Sequence, residues 1–109
     1  MENNLQVVQF LIDYVEEHIT EEINLEGLAD VAGYSKYHLH RMFSGLVGIP
    51  LHQYIKRRQL TEAAKRLIYS DEQIVQIALE AGYDSQQAFV LAFKNMYKQS
   101  PQKFRFKHQ

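Results

Sequence analysis

The sequence predicts an all-α fold of about seven helices, forming two helix-turn-helix lobes joined by a long connector helix. Three observations lead there. Apolar residues recur at spacings of three and four, no segment alternates with period two, and one segment occurs twice. Residues 25–54 carry Leu28-Ala29, Gly33-Tyr34-Ser35, Phe43 and Tyr54, and residues 74–104 carry Ile77-Ala78, Gly82-Tyr83, Ser85, Phe93 and Phe104. The offset is 49 at the glycines and 50 from Ser85 onward, so the single residue Asp84 accounts for the slip. Each copy reads as short helix, glycine turn, longer helix.

Residues 4–19 open the chain with Leu5, Val8, Ile12, Val15 and Ile19 on one stripe and an acidic outer face, an amphipathic helix. Asn24 is placed to cap a second helix with Leu25, Leu28, Ala29 and Ala32 inward, and Gly33 ends it in a left-handed turn. Ser35 caps a third helix running to about Val47, with Leu39, Met42, Phe43 and Leu46 buried, and Gly48-Ile49-Pro50 stops it. Residues 51–69 are the longest helical pattern and form the connector. Asp71 is a candidate cap for the next helix, with Ile74, Ile77, Ala78 and Ala81 inward, and Gly82 repeats the role of Gly33. Ser85 caps residues 86–97, with Phe89, Phe93 and Met96 inward, and Ser100-Pro101 opens a last short helix to about Phe106. The lobes are thus expected over 1–50 and 70–109, on either side of the connector.

A chain of 109 residues makes one domain, or two small lobes sharing a helix. The absence of cysteine excludes disulfides, thiolate zinc sites and cysteine nucleophiles. No apolar run approaches the roughly 18 residues needed to cross a bilayer, and the acidic N-terminus is no secretion signal, so the expected location is the cytoplasm. The net charge of −1 hides a strong asymmetry: residues 1–34 carry −8 with no Lys or Arg, and residues 35–109 carry +7. Such a split suits one face turned to phosphate and an acidic face turned away; a dipolar surface without a partner is the alternative.

In a helix-turn-helix, a small residue in the first helix admits the second, glycine makes the turn, and the face opposite the buried stripe enters the major groove. Ala29 with Gly33, and Ala78 with Gly82, supply both parts. The outer face of the first copy presents Tyr37, Arg41 and Ser44, flanked by Lys36 and His40; that of the second presents Gln87, Leu91 and Lys94, flanked by Gln86 and Val90. Arg pairs bidentately with guanine and Gln with adenine, and Leu91 or Val90 suits a thymine methyl. Base contacts are therefore expected from Tyr37, His40, Arg41, Gln86, Gln87 and Leu91, and backbone contacts from Lys36, Ser44, Lys56, Arg57, Ser85 and Lys94. Leu91 stands where the first copy has Arg41, so the second copy is expected to read sequence more weakly.

These residues resemble the DNA-binding domain of the AraC/XylS family of bacterial transcription regulators, most closely its MarA/SoxS/Rob branch. The similarity runs over Tyr34 through Phe43, Tyr54-Ile55 with Arg58 and Thr61-Glu62, and Gly82-Tyr83 with Ser85-Gln86-Gln87, Phe93-Lys94-Asn95 and Ser100-Pro101 through Phe104-Arg105. The resemblance implies that a monomer sets its two reading helices in successive major grooves of double-stranded DNA, about 34 Å apart. It also implies transcriptional regulation, activation more often than repression, with RNA polymerase as a partner. Three departures stand out: Tyr37 where close relatives often have tryptophan, Leu91 for a common arginine, and Lys98 for a glycine before Ser-Pro. Relatives often carry an effector or dimerisation domain, so the chain is either a stand-alone regulator or the DNA-binding piece of a longer one.

The acidic N-terminal helix is a candidate partner surface or a solubilising face. A helical protein-interaction module without DNA binding is the competing reading, and salt discriminates the two, because phosphate contacts weaken steeply with salt. No enzyme, cofactor or metal site is expected: His38 and His40 point in different directions without a placed carboxylate, and His18, His52 and His108 read as isolated.

Overall fold

The computed structural model describes residues 3–108; Met1, Glu2 and Gln109, at the outer ends of the two expected lobes, lie outside the described residues. Among the described residues there are seven helices and no strand: α1 Asn4–Glu17, α2 Leu25–Ala32, α3 Lys36–Val47, α4 Leu51–Tyr69, α5 Ile74–Glu80, α6 Gln86–Tyr97 and α7 Pro101–His108. The chain divides into two compact units, and the division falls between Lys56 and Arg57 inside α4.

The first unit comprises the chain up to His18 together with Ile23–Lys56. Asn3 caps α1 through a reciprocal box: its side chain accepts from Gln6 N at 2.8 Å, and the Gln6 side chain accepts from Asn3 N at 3.1 Å. The buried stripe of α1 is Val7, Val8, Leu11 and Val15. The expected stripe is therefore rotated: Leu5 is 65% exposed, Ile12 is half-buried and Ile19 follows the end of the helix. Both stripes fit the helical period, and packing of α1 against α3 selects the one that meets the core. Asn24 caps α2 by accepting from Glu26 N and Gly27 N. Leu39, Met42 and Phe43 fill the inner side of α3, whereas Leu46 is 52% exposed, contrary to expectation. Leu51 and Ile55 of α4 complete the buried set, and the Tyr54 ring lies 5.3 Å from that of Phe43.

The second unit comprises Ile19–Glu22 and the chain from Arg57 onward. Leu60, Ala63, Ala64 and Leu67 of α4 pack with Ile77, Ala78 and Ala81, Phe89 and Phe93, and Phe104. Each fully buried Phe contributes about 1.5–3 kcal/mol relative to exposure. Met96, expected inward, is 38% exposed; Phe104 of α7 instead closes over Phe93 at 5.3 Å. Asp71 does not cap α5. The cap position is Gln73, without a side-chain bond, because Ser70 and Glu72 are already engaged with Arg66 at the end of α4. Arg66 pairs with Glu72 at 2.6 Å and with Glu80, tying α4 to α5. Arg105 of α7 donates to Leu67 O at 2.9 Å and Ser70 O at 3.3 Å, satisfying carbonyls that the end of α4 leaves open.

The sequence repeat is a repeat of hydrogen bonds. Gly33 N donates to Asp30 O and Tyr34 N to Ala29 O; Gly82 N donates to Leu79 O and Tyr83 N to Ala78 O. Each pair is a Schellman closure, with Gly33 at φ 78° and Gly82 at φ 89°. The next helix then starts on a serine cap, Ser35 accepting from His38 N and Ser85 from Ala88 N, each at 3.1 Å. It ends on a left-handed residue, Gly48 at φ 92° and Lys98 at φ 64°. Lys98 therefore keeps the left-handed turn that a glycine would make.

Candidate nucleic-acid interface

Each unit presents one helix whose inner side is fixed by aromatic packing and whose outer side faces solvent. On α3 the inner residues Leu39, Met42 and Phe43 leave Tyr37 70% exposed, Lys36 and Arg41 exposed, and His40 and Ser44 half-buried. Tyr37, His40, Arg41 and Ser44 line one shallow recess together with Pro50 and His52 from the turn into α4. Arg41 packs over the Tyr37 ring at 5.7 Å, which orders a long side chain at the rim while leaving its guanidinium donors in reach of a ligand.

On α6 the inner residues are Phe89 and Phe93, and Gln86, Gln87, Val90, Leu91 and Lys94 line a recess of their own. Leu91 is 65% exposed, a large apolar side chain held in water at the centre of that face.

The twelve expected contact residues divide into three groups. Tyr37, His40, Arg41 and Ser44 come together on α3 with Lys36 at its first position, and Gln86, Gln87, Leu91 and Lys94 come together on α6 with Ser85 as its cap. Lys56 and Arg57 are exposed on α4 and line neither recess. Ser44 donates its hydroxyl to His40 O at 2.8 Å, whereas Ser85, capping α6, accepts from Ala88 N and keeps its own O–H to donate. Lys36 lies 3.9 Å from Glu26 of α2, a pair exposed enough to yield to a phosphate.

The histidines are less solitary than their spacing suggested. His18 stacks on Tyr14 at 4.0 Å and shares a hydrogen bond with Tyr14 O; His108 stacks on Phe104 at 4.4 Å and shares one with Phe104 O. His52 faces His40, with ring centroids 6.3 Å apart. Burial, followed by the neighbouring His52 and Lys36, holds the His40 imidazole below its ordinary value. The sequence reading missed His52 as part of the first recess, since it lies twelve residues from His40 across a turn and follows no helical period. Among the described residues no group of three or more metal-ligating side chains comes together, and no helix is long and apolar enough to cross a membrane.

A family model described as a helix-turn-helix domain matches residues 28–107. The chain is similar to the transcriptional activator AarP of Providencia stuartii, 38% identical over 91% of this chain and 73% of AarP. It is likewise 38% identical to the multiple antibiotic resistance protein MarA of Escherichia coli, over 90% of this chain and 77% of MarA. The match to the regulator YbfP of Bacillus subtilis is 40% identical over 92% of this chain but spans only 34% of YbfP. Among solved structures, the DNA-binding domain of AdpA in complex with a target DNA superposes with a TM-score of 0.85, at 25% identity over 92% of this chain and 90% of that domain.

Proposed function

From a chain that belongs to the AraC/XylS family of helix-turn-helix regulators, we propose a sequence-specific binder of double-stranded DNA that activates transcription from the cytoplasm. The observation that carries this reading is the doubled device: two exposed helix faces, each launched from the same Schellman turn and serine cap and each lined by side chains suited to base edges. A helix used only for protein contact needs no second copy with the same closure.

In this reading Tyr37, His40 and Arg41 read bases from α3, and Gln86, Gln87 and Leu91 from α6. Lys36, Lys56, Arg57 and Lys94 meet phosphates. Ser85 Oγ accepts from Ala88 N and keeps its O–H to donate to a phosphate, whereas Ser44 donates its O–H to His40 O and must release that bond to do the same. The α6 face reads fewer positions, because Leu91 offers only apolar contact where Arg41 offers a bidentate fork. AarP is named as an activator, and its likeness supports the sign of regulation. The acidic outer face of α1 supplies a surface for RNA polymerase.

Selection of binding sites from a random duplex library, with a salt titration of the enriched sequences, tests this function. The expected result is a two-part motif bound with a steep salt slope. Enrichment of one half-site alone would confine base reading to α3, and weak, salt-insensitive binding without enrichment would remove the DNA reading altogether.

A further inference from the structure

The first recess holds a pair of imidazoles at the edge of the proposed reading helix, and nothing in the DNA-binding reading uses the second of them. His40 belongs to α3 and His52 to the first turn of α4, with rings 6.3 Å apart. The charged and titratable groups around them are mostly cationic or neutral. On α3, Lys36 acts on His40, and Tyr37 and Arg41 line the same recess. From α2, Glu26 answers Lys36 at 3.9 Å, and from α1 the neutral Asn4 lines the neighbouring recess. The start of α4 adds the partial positive charge of a helix N-terminus beside His52. Burial and then the neighbouring His52 and Lys36 disfavour a charge on His40 in the free protein, and an arriving anion would offset that.

We propose that His52 contacts a backbone phosphate beside the first reading helix, next to the base-reading His40, and that DNA binds with uptake of a proton by this pair. The proposal rests on the DNA-binding reading above. By reciprocity, an anion that favours the protonated pair is itself bound more tightly when the pair is protonated. The sign follows: the phosphate raises the pair's pKa in the complex above its value in the free protein. Affinity thus rises as pH falls through the complex's value and levels off below the free protein's value.

The test measures affinity for one duplex from the site selection, across the pH range in which histidine titrates, at constant ionic strength. Uptake of one proton gives at most about a tenfold rise in affinity per pH unit. Wild type is expected to gain about three- to tenfold between roughly pH 7.5 and pH 6.0. His52→Gln loses most of that gain, His52→Arg binds tightly with a flat profile, and His18→Gln keeps the wild-type slope. Circular dichroism melting checks that each variant is folded. NMR titration of the imidazole protons, with and without duplex, reads the same event directly, and the pair's pKa rises in the complex. A flat wild-type profile, or a His52→Gln slope equal to wild type, overturns the proton-linked contact and leaves DNA binding standing. No specific binding at any pH overturns both.

Discussion

The side-chain amide of Gln59 lies against the turn at Gly82: a β-carbon there would stand 3.0 Å from its Nε2 and 3.2 Å from its Oε1. Gln59 is only 7% exposed and donates from Nε2 to Glu21 O at 3.4 Å, so the amide has little freedom to retreat. The matching turn at Gly33 has nothing within 4 Å of the same point. Two turns with the same hydrogen bonds thus differ in what a side chain would meet.

Gly33→Ala is expected to cost about 1–2 kcal/mol, the left-handed backbone alone. Gly82→Ala carries that cost plus the displacement of Gln59 and loses more. Urea unfolding of both variants checks the order, and a cycle with Gln59→Ala isolates the contact. Equal losses for the two alanines would show that Gln59 yields freely.

Lys98 pays a steric cost that Gly48 avoids. It holds φ 64° at the end of α6, and its Nζ bond to Asn95 O is exposed. Lys98→Gly is expected to stabilise the protein by about 0.5–1 kcal/mol, relief of left-handed strain exceeding the glycine's added unfolded-state freedom. The urea midpoint should rise with an unchanged slope; an unchanged midpoint would place the strain elsewhere.

Hydrogen bonding to Arg66 holds the Glu72 carboxyl below its ordinary value of 4.5. A carboxylate lowered in the folded state stabilises the fold above its unfolded value and loses that contribution as pH falls through its folded value. Glu72→Gln is therefore expected to lower the melting temperature near neutral pH and to narrow its gap from wild type as acidity increases below about pH 4.5. A constant gap across that range would separate Glu72 from acid unfolding.

Arg41→Ala is expected to cost about 1–3 kcal/mol of DNA affinity and to relax preference at one position of the site. Lys56→Ala should weaken all sequences alike and make the salt dependence shallower. Site selection repeated on both variants tells them apart. An Arg41→Ala loss spread evenly over every sequence would refute base reading by that side chain.

Local chemistry was the legible part of the fold. Asn24, Ser35 and Ser85 cap where their spacing before apolar runs predicts, because a cap depends on neighbours within three residues. The choice between two apolar stripes on α1 was not legible. Leu5 and Ile12 satisfy the helical period as well as Val7 and Leu11 do, and packing against α3 decides which side is covered. Met96 and Leu46 erred for the same reason, since each sits at the outer edge of a stripe whose neighbours already fill the core. Asp71 read as a cap because the engagement of Ser70 and Glu72 by Arg66 spans elements that the local sequence does not connect. Gln59 carried a signal that went unread: it falls on the line Ile55, Gln59, Ala63 at spacings of four, inside a buried face. The α3 and α6 recesses were legible as faces opposite aromatic stripes; His52 was not, as it joins the first across a proline turn.

Arg105 reaches from α7 to the carbonyls of Leu67 and Ser70, 38 and 35 residues upstream. Fraying at the end of α4 and detachment of α7 are thereby one event rather than two. In native-state hydrogen exchange the amides at both places are expected to open together, with a shared free energy. The short last helix therefore acts as a clasp on the end of α4.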